Sequence, residues 1–130
     1  MKTLDSGSPR PILLVDDEPG LLDATRRRLE QALPGVELLA FSDPVEALRE
    51  TEHRSLGLAI LDIDMPSMSG VQLAEALHVR SPDLPVVFLT GTARETVADD
   101  LERVGVVAWL QKPVQGKVLI DAVNTHILCD

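Results

Sequence analysis

Five short apolar runs recur along the chain at intervals of roughly twenty-five residues: PILLV (11–15), VELLAF (36–41), LGLAIL (56–61), LPVVFL (84–89) and VVAWL (106–110). Four are nearly continuous, as burial on both faces of a parallel sheet demands, and all are short enough for strands. Glu37 interrupts the run at 36–41, which predicts an edge strand there. Between the runs the apolar spacing becomes helical: Leu21, Leu22, Thr25, Leu29, Ala32 and Leu33 in the first interval, Val71, Ala74 and Leu77 in the third. VLIDAVNTHIL (118–128) reads as a fifth amphipathic helix. Asp43-Pro44 and Ser81-Pro82-Asp83 supply start and stop signals, and Gly35, Gly57 and Gly105 fall at helix-to-strand corners, where a glycine can take positive φ.

Strict alternation of strand and helix, (βα)5, predicts an α/β domain with a five-stranded parallel sheet, right-handed crossovers and helices on both faces. This is a flavodoxin-like, doubly wound sheet of order 2-1-3-4-5. A chain of 130 residues supports one hydrophobic core and is too short for two. Residues 10–130 are assigned to that domain and residues 1–9 to a flexible lead-in.

Apolar residues make up 45% and charged residues 25% of the sequence, close to soluble globular averages, which argues against disordered and fibrous classes. No apolar run approaches the ~20 residues needed to cross a bilayer, and the first ten residues lack the apolar centre of a signal peptide. The expected location is the cytoplasm, with no membrane partner. A net charge of −9, from 21 acidic and 12 basic residues, argues against direct nucleic-acid binding. The one dense basic run, Arg26-Arg27-Arg28, reads as a solvated helix face. Cys129 is a bystander, and His53, His78 and His126 have no metal-ligand spacing.

The chemistry lies just past the carboxyl ends of the strands: Asp16-Asp17-Glu18 after the first, Asp62 after the third, Thr90 after the fourth, Lys112 after the fifth. Ligands of open α/β sheets bind outside these carboxyl ends, at the switch point between strands 1 and 3. Asp16, Asp17 and Asp62 should converge there. Three carboxylates in one crevice repel one another, so the arrangement calls for a cation, and magnesium suits hard oxygen ligands. A carboxylate beside such a cation can attack phosphorus, while Lys112 and Thr90 can hold phosphate oxygens.

With these residues in this order, residues 10–128 resemble the response regulator receiver domains of two-component signalling. The resemblance rests on Asp16-Asp17, LDIDMPSMSG (61–70), the threonine of FLTGTA (88–93) and Lys112-Pro113. It implies that Asp62 is the phosphoacceptor and that Asp16, Asp17, Asp62 and the main-chain carbonyl of Asp64 hold Mg2+. Lys112 and Thr90 would contact the phosphoryl group, and Lys112-Pro113 would be a cis peptide. Met65-Pro66 and Gly70 would shape the loop after the third strand. Thr90 and Trp109 would form the switch, remodelling the face made by the helix after the fourth strand, the fifth strand and the C-terminal helix. The implied partners are a histidine kinase or histidine phosphotransfer protein and a downstream output domain or protein. A homodimer is possible, although Val106-Val107-Ala108 and Val114 replace the acidic and aromatic residues used by one large dimerising subgroup. The resemblance implies a signalling switch, not an enzyme with turnover.

Two rivals are weighed against it. Asp62-Ile63-Asp64 mimics the Asp-x-Asp of haloacid-dehalogenase-like phosphatases, but that family places the motif after its first strand. A phosphorylation-independent, receiver-like binding module is the other, and the presence of all five chemical positions argues against it.

Overall fold

A computed structural model of the chain describes residues 7–91 and 106–130. The elements are β1 (Ile12–Val15), α1 (Pro19–Ala32), β2 (Leu38–Phe41), α2 (Pro44–Glu50), β3 (Leu58–Asp62), α3 (Gly70–Arg80), β4 (Val86–Thr90), β5 (Ala108–Gln111) and α4 (Gly116–His126). The helix expected between the fourth and fifth strands, and the corner at Gly105, lie outside the described residues. The five strands form one parallel sheet of order β2-β1-β3-β4-β5, as expected from the alternation.

Side chains alternate across a strand, and here the alternation sorts the core into two layers. Leu13, Val15, Ala59, Leu61, Val86 and Phe88 point to one face and pack on Ala47 of α2 and on Val71, Leu73, Ala74 and Leu77 of α3. Ile12, Leu14, Leu58, Ile60, Val87 and Leu89 point to the other and pack on Leu29 of α1 and on Leu119 and Val123 of α4. The three central strands are fully buried, which explains their unbroken apolar runs.

Helix starts follow local chemistry. Asp43 caps α2 by accepting from the N–H of Val45 at 2.9 Å, with Pro44 at the first helical position. Ser69 and Gln72 form a reciprocal capping box at the start of α3.

Several expectations are corrected. β2 and β5 are the two edges, as the order 2-1-3-4-5 requires, but β5 is not buried on both faces as its apolar run suggested: Ala108, Trp109 and Leu110 are partly buried and Gln111 is exposed. Gly35 and Gly57 do not adopt positive φ. Gly57 is required for close approach instead: a Cβ there would lie 2.9 Å from the carbonyl oxygens of Arg10 and Leu128. Residues 1–6 of the expected lead-in lie outside the described residues, whereas Ser8 and Pro9 are tied to the C-terminus. Pro9 bridges Cys129, the Asp130 N–H donates to Ser8, and Arg10 pairs with the Asp130 carboxylate at 2.8 Å. Among the described residues, no helix is long and apolar enough to cross a membrane.

Candidate functional site

Extending the strand alternation past the carboxyl ends places Asp16, Asp62 and Lys112 on the α1–α4 side of the sheet, and Thr90 on the opposite side with Phe88. Asp16, Asp17 and Asp62 meet at the β1/β3 switch point, each offering a carboxylate oxygen within 4.8 Å of the others. Asp16 and Asp62 are buried, and Asp17 is half-buried.

Local backbone donors fix two of these carboxylates. Oδ1 of Asp16 accepts from the Glu18 N–H at 3.0 Å, and Oδ1 of Asp62 accepts from the Asp64 N–H at 3.2 Å. The strand end is held in turn by the Ile63 N–H donating to Leu89 O at 2.9 Å. Gly70 packs directly on it; a Cβ at Gly70 would collide with the Asp62 carbonyl oxygen and lie 2.9 Å from Cα of Ile63. The glycine of the 61–70 motif is therefore a packing requirement of the site.

Lys112 bridges the pair of buried acids. Its Nζ lies 3.2 Å from Oδ2 of Asp16 and 3.3 Å from Oδ2 of Asp62. The Lys112 N–H donates to Thr90 O at 2.8 Å, and the Lys112-Pro113 peptide is cis, as expected. Burial pushes the Asp62 carboxyl up to about 6, and the neighbouring Asp16 charge adds to this while Lys112 opposes it. Burial disfavours the Lys112 ammonium, but Asp16 and Asp62 outweigh that and raise it above the usual lysine value. The site holds more negative charge than one ammonium neutralises. A hard divalent cation suits that excess and that all-oxygen donor set.

The structure thus brings together Asp16, Asp17, Asp62 and Lys112. Thr90 is fully buried beside them, with its hydroxyl 3.5 Å from Oδ2 of Asp64, whose residue is exposed at the rim. Trp109 is half-buried against the α2–α3 layer and is the register partner of Phe88, on the same sheet face as Thr90. Arg28, read from the sequence as part of a solvated helix face, is exposed but has a long-range partner. It reaches from α1 to donate to Val114 O at 3.2 Å, a contact 86 positions apart along the chain that no local pattern signals.

Residues 12–124 match the family model for the response regulator receiver domain. The chain is 37% identical over 110 residues to the phosphoglycerate transport system transcriptional regulatory protein PgtA of Salmonella typhimurium, covering 84% of this chain and 26% of that protein. It is 32% identical over 113 residues to the C4-dicarboxylate transport transcriptional regulatory protein DctD of Pseudomonas aeruginosa, covering 87% and 24%. The chain therefore spans about a quarter of the length of these two relatives. Among solved structures, a CheY-like receiver domain from Methanospirillum hungatei superposes with a TM-score of 0.82 at 30% identity, covering 91% of this chain and 93% of that one. Chemotaxis protein CheY4 of Vibrio cholerae superposes with a TM-score of 0.83 at 25% identity, covering 91% and 98%.

Proposed function

The chain belongs to the response regulator receiver family, and from that premise we propose that Asp62 is the residue that accepts the phosphoryl group. The observation that carries this reading is the Asp16–Asp17–Asp62 cluster, with Lys112 bridging its two buried acids. One carboxylate oxygen of Asp62 attacks phosphorus, and the bond to the donor's leaving group breaks as the new oxygen–phosphorus bond forms. The leaving group departs with the bonding electron pair. No neighbouring base is needed, because a carboxyl titrating near 6 is mostly ionised at neutral pH.

Asp16, Asp17, Asp62 and the main-chain carbonyl of Asp64 would hold Mg2+. When bound, the ion would supply positive charge against the transferring phosphoryl oxygens. Lys112 supplies a further fixed cation, and Thr90 a hydroxyl that can turn from Asp64 towards a phosphoryl oxygen. Asp16 also holds the Lys112 ammonium in the crevice before any phosphate arrives. Thr90 and Trp109 are the proposed switch, and a histidine kinase or histidine phosphotransfer protein the proposed phosphodonor.

Incubation with acetyl phosphate and magnesium should add one phosphoryl group to the wild type and none to Asp62→Asn, read by intact mass. Equal labelling of the variant would remove Asp62 from this role. Catalytic release of product from a chromogenic phosphate ester would favour the phosphatase chemistry instead.

A further inference from the structure

A cleft of about 370 Å³ opens between α1 and the start of α4, beside the acidic crevice. Its volume falls within the roughly 300–1,000 Å³ typical of small-molecule sites. Leu89 and Leu119 are its buried floor, each 2% exposed, while Leu21 and Ala24 of α1 and Val114 form apolar walls. Buried Asp16 and half-buried Lys112 also line it, as does exposed Arg28, so the acidic crevice is the inner side and Arg28 the solvent side.

The three arginines of α1 are not equivalent. Arg26 pairs with Asp23 and Glu30, and Arg27 with Asp23. Arg28 has no carboxylate within ion-pairing distance among the described residues, and its guanidinium donates to the Val114 carbonyl. Its stem crosses Gly116, where a Cβ would lie 2.7 Å from the Arg28 Cδ, so only glycine lets the side chain lie there undisturbed. A positioned guanidinium without an acidic partner among the described residues can serve as a local counterion for an external anion, against the repulsion of a chain of net charge −9. Lys112 is already engaged by Asp16 and Asp62, and Asp16 repels negative charge at the inner end. The field therefore orients a ligand with its charge outward at Arg28 and its apolar body inward over Leu89.

We propose that this cleft binds a small amphiphilic monocarboxylate, of the medium-chain aliphatic or aryl class, with Arg28 as its counterion. The inference does not depend on the role of Asp62 and is tested without magnesium or a phosphodonor. Octanoate is titrated into the full chain while the methyl resonances of Leu89, Val114 and Leu119 are followed by NMR, with acetate and 1-octanol as controls. Saturable shifts are expected with octanoate, with affinity at least tenfold higher than for either control. Arg28→Ala should weaken binding tenfold or more, and Ala24→Phe, which fills the cleft from an exposed position, should abolish it. Unchanged melting temperatures would show that both variants fold. Equal affinity for acetate would reduce the site to salt at an arginine. Equal affinity for octanol would make the cleft an apolar surface without anion selectivity, as suits a protein side chain. Either result, or shifts that never saturate, would overturn the proposal.

Discussion

Replacing Asp62 with asparagine should stabilise the fold at neutral pH in the absence of magnesium. The carboxyl titrates near 6 in the folded chain against an ordinary 3.8, chiefly because burial disfavours its charge. Folding thus favours the protonated form. Below pH 3.8 both states hold the proton and Asp62 contributes no penalty; between 3.8 and 6 the folded state holds more protons, so stability falls as pH rises; above 6 the loss is complete. The rise from 3.8 to about 6 sets that loss at about 3 kcal/mol. Asparagine mimics the neutral carboxyl in shape and can still accept from the Asp64 N–H, so the variant escapes the penalty. Lys112 then remains with Asp16 alone. Urea unfolding in EDTA should show Asp62→Asn more stable by about 3 kcal/mol at pH 7 and by only a small fraction of that at pH 4. Saturating magnesium should reverse the order at pH 7, since it stabilises whichever chain binds it more tightly. A variant equal to or weaker than wild type at pH 7 in EDTA would refute the reasoning. A gain that does not change with pH would also refute it, by placing the cause in packing.

Gly70→Ala should cost about 1–3 kcal/mol in urea unfolding, because the new methyl group must displace the backbone of Asp62 and Ile63. It should also slow labelling by acetyl phosphate, while wild-type stability would show that the strand end yields freely. Trp109 emission should change when magnesium and beryllofluoride are added together, because the indole shares a sheet face with Thr90. A flat titration would remove Trp109 from the switch.

The parts legible in the sequence are those that one-dimensional periodicity encodes. The strands of the central sheet are buried on both faces, so their apolar runs are unbroken, and the candidate site residues Asp16, Asp62, Thr90 and Lys112 stand at or just past strand carboxyl ends. The illegible parts depend on partners far apart in the chain. Gly57 is fixed by the carbonyls of Arg10 and Leu128, Ser8 is held by Asp130, and the Arg28 side chain lies over residue 116, where a Cβ would force it to shift. β5 misleads for a related reason: its apolar run resembles that of a central strand, but exposure is set by its place in the sheet order.

Sheet alternation also constrains how a phosphoryl group could be sensed. Asp16, Asp62 and Lys112 lie on the α1–α4 side, whereas Thr90 and Trp109 lie with Phe88 on the α2–α3 side. Between the two layers runs a sheet whose central side chains are close-packed and almost wholly shielded from solvent, and such interiors yield little to small displacements. A signal from Asp62 to Trp109 through the core would have to deform that packing. Around the carboxyl end of β4 the route is short: Thr90 borders the crevice with its hydroxyl at Asp64, and its carbonyl accepts from the Lys112 N–H. On the proposed reading, the end of β4 is where the two faces would exchange a signal without disturbing the core, with the Thr90 hydroxyl as a rotatable donor at that point.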